Sequence, residues 1–108
     1  MALTITPRPP YYAVIFTTQR SGDDKDGYNE KADELSELVE KEPGFLGMES
    51  VRNKAGQGIT VCYWNNEESI ANWKKKLVHQ EAQQKGMSDW YKYYFLRIAK
   101  VERDYGKI

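Results

Sequence analysis

Apolar residues along this chain recur with two different periods, and the switches between them mark six elements. Tyr11 to Thr18 (YYAVIFTT) is a run of β-branched and aromatic residues bounded by the polar loop Gln19 to Gly27, which predicts a strand. From Asp26 to Glu42 the apolar positions Tyr28, Ala32, Leu35, Leu38 and Val39 recur every three or four residues with charges opposite, which predicts a helix. Asp23, Asp24 and Asp26 suit the positive end of its dipole, and Pro43-Gly44 stops it because a residue before proline avoids the α region. Phe45 to Asn53 and Ile59 to Trp64 read as strands joined by the glycine-containing hairpin loop Lys54 to Gly58. Asn65 and Asn66 offer a cap to a second helix, with Ile70, Trp73 and Leu77 on its buried face. After a bend, that pattern continues through Val78 and Ala82 to Gly86. Tyr91 to Tyr105 closes the chain as a long strand, and Pro7, Pro9 and Pro10 make residues 1–10 an extended arm leading into a single domain, 11–108.

The order β-α-β-β-α-β is that of the ferredoxin-like α+β fold, a four-stranded antiparallel sheet carrying both helices on one face. A sheet with helices on one side and water on the other alternates apolar and polar residues. These strands do not. Tyr11, Ala13 and Ile15 oppose Tyr12, Val14 and Phe16; Ile59, Val61 and Tyr63 oppose Thr60, Cys62 and Trp64. In the last strand Trp90, Tyr94, Leu96 and Ile98 oppose Tyr91, Tyr93, Phe95, Ala99 and Val101. Left bare, the second face is a larger apolar patch than soluble monomers carry, and a second copy of the sheet is the economical cover. A homodimer is therefore expected, unless long loops cover the face instead.

A chain of 108 residues has room for one core, and 40% hydrophobic with 30% charged residues is an ordinary globular balance. Sixteen basic and sixteen acidic residues cancel, which lowers the expectation of a nucleic-acid or anionic-membrane partner. An RNA-binding sheet of the same topology needs a glycine-aromatic alternation on the third strand, which ITVCYW lacks. No apolar stretch reaches the roughly 20 residues a membrane span needs, and the proline-broken start is no signal peptide. With the single Cys62 this points to a reducing compartment, the cytoplasm. Fourteen aromatic residues, eight of them tyrosine, are the compositional feature that stands out.

Four segments, in order and spacing, resemble the antibiotic biosynthesis monooxygenase superfamily of dimeric α+β barrels. They are YYAVIFTTQR (Tyr11–Arg20), EPGFLGMES (Glu42–Ser50), ITVCYWNNEESIANWKKKLVHQEAQQKG (Ile59–Gly86) and WYKYYFLRIAKVERDYG (Trp90–Gly106). The resemblance implies a homodimeric barrel with a pocket in each subunit between helices and sheet. It also implies that the pocket serves cofactor-free oxidation of an aromatic or polycyclic compound by O₂, or binding and degradation of haem, or, since many relatives have no assigned activity, a non-catalytic sequestering of a hydrophobic ligand. Fold does not dictate which.

The resemblance makes Trp73 similar in position to a pocket tryptophan of the haem-degrading relatives, although its helical stripe with Ile70 and Leu77 also reads as core. His79, the only histidine, is a candidate base, proton shuttle or iron ligand, and also reads as a surface or core histidine. A straight helix aims positions 73 and 79 about 120° apart, so the two share a pocket only if the helix breaks between Lys75 and Val78. The haem-degrading pattern itself departs. Its iron-ligating histidine falls here on Gln83, and the asparagine of its first strand has no counterpart in Tyr11 to Thr18. The expectation is therefore no cofactor, with haem as the alternative. Phe16, Tyr63, Trp64 and Tyr94 are candidates to line a pocket for a flat apolar ligand, with His79 as base and Arg97 or Tyr63 as partner to the ligand anion. The same aromatics also read as dimer core.

Overall fold

A computed structural model describes residues 2–21, 28–84 and 90–108, and their side chains except at positions 28, 29 and 78–84. The elements are β1 (Tyr11–Arg20), α1 (Tyr28–Glu40), β2 (Phe45–Arg52), β3 (Gln57–Trp64), α2 (Glu67–Gln84) and β4 (Tyr91–Val101). The expected acidic start of α1 at Asp23, Asp24 and Asp26, and the stop at Gly86, lie outside the described residues.

Local chemistry accounts for the element ends. The last turn of α1 tightens through Lys41 N donating to Leu38 O and Glu42 N to Val39 O. The chain then reverses at Gly44, whose φ of 86° is a left-handed value that glycine adopts without strain. A side chain is excluded there as well, because a Cβ on Gly44 would sit 2.1 Å from Ser69 Oγ. Asn66 caps α2, its Oδ1 accepting from Ser69 N at 2.8 Å. The β2–β3 hairpin closes on Asn53, whose N donates to Gln57 O and whose Oδ1 accepts from Gln57 N, both at 2.9 Å. Two expectations change. Helix α2 runs uninterrupted through the segment where a bend was expected, and β4 ends at Val101 rather than Tyr105. The second has a simple cause. Val101 pairs with Tyr11, the first residue of β1, so further residues have no strand to pair with.

The sheet order is β2-β3-β1-β4, all antiparallel, as the ferredoxin-like arrangement requires. Directly paired residues share a face. Even positions of β1 and β3 face the helices, since Tyr12, Val14 and Cys62 pack with Trp64, Phe45 and Trp73 against Val39 of α1 and Ile70 of α2. Leu38, expected on the buried face of α1, stays 40% exposed because Val39, about 100° further round, takes the inward position. Lys76 of α2 is ion-paired with Glu42 just beyond α1, tying the two helices together. No helix among the described residues is long and apolar enough to cross a membrane.

Among the described residues, the opposite face is covered at one end only. The N-terminal arm crosses it there, Thr4 N donating to Glu49 Oε2 at 2.9 Å. Glu49 Oε1 in turn accepts from Tyr63 at 2.8 Å, and Tyr11, edge-on to Tyr63, donates to Asp104 at 2.7 Å. Thr4 takes the space that a Cβ on Gly47 would need, only 2.3 Å away. Tyr11 and Ala13 are buried as a result. At this end, then, a segment of the chain itself covers the face, in part the alternative that was set against a dimer.

A helix-side aromatic cleft as the candidate site

The helix side of β1 and β4 carries the aromatic cluster best placed to hold a ligand. Phe16 lies 5.8 Å from Tyr91, edge-on, and 5.9 Å from Tyr94, and the two tyrosine rings are 6.2 Å apart. Leu96 and Ile98 continue the same face of β4 and are about half exposed, so this side of the sheet is open where the helices stop covering it. Three rings in mutual contact, two pairs edge to face and the Phe16–Tyr94 pair tilted, with an apolar floor beside them form a wall suited to a flat ligand.

Tyr91 is the residue that strand alternation misassigned. Simple alternation puts it on the side of Tyr93 and Phe95. The β1–β4 ladder has an irregularity at Gln19/Arg20, where Gln19 pairs with Tyr93 and Arg20 with Tyr91, so Lys92 is skipped. The extra residue turns Tyr91 to the helix side, as bulges do at functional rims. The bulge is invisible in a hydrophobic pattern because both faces here are aromatic.

The predicted site residues divide between three places. Phe16 and Tyr94 come together in the cleft. Trp64 is 1% exposed and packs edge-on to Phe45 at 5.3 Å, so it is a core residue under the helices rather than a cleft wall. Trp73 is half-buried against that core, at the boundary of core and cleft. Tyr63 and Arg97 sit on the far side of the sheet. Tyr63 pairs with Ala13 and holds Glu49, while Arg97 pairs with Ile15 and lies 4.6 Å from the Phe95 ring centre. Strand period alone explains this: both are at odd positions, and the rings of the cleft are at even ones or brought round by the bulge. The His79 side chain lies outside the described residues, and its helix is continuous, so positions 73 and 79 are about 120° apart around α2.

A guanidinium does occur on the rings' own face, and sequence reading passed it over. Arg52 reaches across Gly58, where a Cβ would lie 2.7 Å from its Cζ, and Nη2 donates to Thr18 Oγ1 at 2.8 Å. Thr18 is the direct partner of Tyr94 on β4. The signal was a glycine opposite an arginine in a hairpin, legible only once the register is known.

Cys62 faces the helices, and burial pushes its thiol up to about 11, so it stays protonated and offers no thiolate. Among the described residues no three His, Cys, Asp or Glu side chains cluster as metal ligands do.

Comparison with known proteins agrees with this architecture. The family model for antibiotic biosynthesis monooxygenase matches residues 10–85. The chain is 50% identical over 101 residues to the uncharacterised protein YqjZ of Bacillus subtilis, covering 94% of this chain and 88% of that one. It is 30% identical over 94 residues to a jasmonate monooxygenase of Pyricularia oryzae, covering 83% of this chain but 43% of the fungal protein. Among solved structures, SnoaB, a cofactor-independent oxygenase from Streptomyces nogalater, superposes with a TM-score of 0.72 at 9% identity, over 92% of this chain and 100% of that one. That last likeness is one of fold. The matched model spans β1 to the end of α2, five of the six elements, with β4 beyond it, and the chain belongs to the antibiotic biosynthesis monooxygenase family.

Proposed function

We propose that this protein is a cofactor-independent monooxygenase acting with O₂ on a small aromatic or polycyclic compound held in the helix-side cleft, and that it works as a homodimer. The observation that carries the reading is the ring cluster Phe16–Tyr91–Tyr94, open to a ligand on the face that the family's helices cover. In such chemistry the substrate supplies the electrons. A base takes a proton from a ring carbon, and the carbanion joins O₂ to give a hydroperoxide. Loss of water then leaves a carbonyl, so one oxygen atom stays on carbon and the other departs in water. The protein's part is to place the ring, take the proton, stabilise the anion and keep water out.

His79 is the proposed base. The anion partner in the same subunit is assigned to the phenols of Tyr91 and Tyr94 rather than to Tyr63 or Arg97, which lie across the sheet. Arg52, on the ring face beside Thr18, adds positive potential there. The fungal relative is named for jasmonate, a carboxylate, which is compatible with a cation at that end of the cleft.

The test is O₂ uptake by the pure protein with anthrone or quinol substrates. His79→Ala is expected to lower the rate on the order of 100-fold or more, Tyr94→Ala to raise KM, and Arg97→Ala to leave both unchanged. Equal rates for wild type and His79→Ala would remove the base. A Soret band on adding haemin that is lost in His79→Ala would replace this reading by a haem-binding one.

A further inference from the structure

The N-terminal arm is built inside out for a segment that faces water. Between Ala2 and Thr6 it turns the polar Thr4 and Thr6 toward the sheet and presents Leu3, 60% exposed, and Ile5, 66% exposed, outward. Half-covering threonine while leucine and isoleucine stay exposed costs free energy in water and gains it only when a second apolar surface lies on top. Beyond β4, Tyr105 and Ile108 are fully exposed as well, on a tail that the Tyr11–Asp104 hydrogen bond draws to the same end of the sheet.

The other end of that face is bare. Val51, Ile59, Thr17 and Phe95 form one row straight across β2, β3, β1 and β4, since Val51 pairs with Ile59, Ile59 with Thr17, and Thr17 with Phe95. Their apolar members are 60%, 52% and 58% exposed for Val51, Ile59 and Phe95. The arm sits over the row of Gly47, Tyr63, Ala13 and Ala99, and the row of Glu49, Val61, Ile15 and Arg97 lies between the two. So the face has a raised end and a low end, with Ile15 midway.

We infer that the arm is the docking element of the homodimer: Leu3 and Ile5 of each copy pack on the Val51–Ile59–Phe95 row of the other, about a two-fold axis that crosses the strands near Ile15. The inference rests on the homodimer proposed above and adds its orientation and its contacts. An axis running along the strands would instead stack arm on arm and hold the two low ends apart. Area points the same way. A stable dimer hides about 800 Å² per partner. The bare row offers three half-exposed side chains at about 100 Å² each, well short of that figure. The arm and tail side chains supply the missing part.

Sedimentation velocity on the full chain tests this. Wild type is expected to run as two subunits at micromolar concentration, and Leu3→Asp/Ile5→Asp to weaken association at least tenfold while keeping the wild-type circular dichroism. In a Cys62→Ala background, a short bismaleimide should join Ile5→Cys/Ile59→Cys chains into a covalent dimer and leave Ile5→Cys alone unjoined. Undiminished association of the aspartate variant, or ready crosslinking of Ile5→Cys to itself, overturns the docking role of the arm while leaving the dimer standing. A wild type that sediments as one subunit overturns the dimer and the inference with it.

Discussion

Tyr63 shows how one side chain changes meaning when its face is known. In sequence it is an aromatic next to Trp64 and a natural candidate for a pocket wall. In the fold it is a hydrogen-bond donor to Glu49 beneath the arm. Desolvation, with the Glu49 hydrogen bond and charge, pushes its phenol from the ordinary 10 up to about 12. The folded state therefore holds this proton more tightly than the unfolded chain does. Below pH 10 both states are protonated and the contribution is fully present. Between pH 10 and 12 only the unfolded state loses its proton, so stability falls as pH rises. Urea midpoints measured across that window should fall steeply for wild type and less for Tyr63→Phe. Equal slopes would mean that Tyr63 ionises like a free tyrosine. Tyr11, raised in the same direction chiefly by its bond to Asp104, adds to the wild-type slope and remains in the variant.

Among the elements, the arm departed most from its reading. Three prolines predict an extended arm, but nothing in its own residues says that it lies on the sheet. The reason sits elsewhere, at Gly47, where the absence of a side chain makes the groove that Thr4 fills. Gly47→Ala puts a methyl group into that space. Because the arm is held there by Thr4 N on Glu49, it is expected to lift, with a loss of about 1–3 kcal/mol in denaturant unfolding. Limited proteolysis should then cut within residues 2–10 faster than in wild type. Unchanged stability and cleavage would show that the arm is not seated on Gly47. The bulge in β4 is the parallel case at the other end of the chain, since the residue type at Tyr91 fits either face and only the pairing of Arg20 decides.

For the molecule as a whole, the small helix-side core of Val39, Trp64 and Ile70 leaves much apolar surface on the strands. If a second copy supplies the cover, part of the stability is association free energy and follows mass action. The Tm of wild type should then rise with protein concentration from low to high micromolar, and Leu3→Asp/Ile5→Asp should lose most of that rise. A Tm independent of concentration in wild type would place the whole stability within one subunit.

By themselves the residues determined the element order, the strand and helix types and the two-sided apolar character of the sheet, because these follow from local period and from where Pro43, Gly44 and Asn66 interrupt it. The resemblance of four segments was enough for the family. Only tertiary pairing decided which aromatics share a cleft, that Tyr63 and Arg97 lie across the sheet from Phe16, that Arg52 reaches Thr18, and that the arm covers Gly47. A pattern with aromatic residues at both odd and even positions carries no label for inside and outside. The face is set by register and bulges, which depend on hydrogen bonds between residues far apart in the chain.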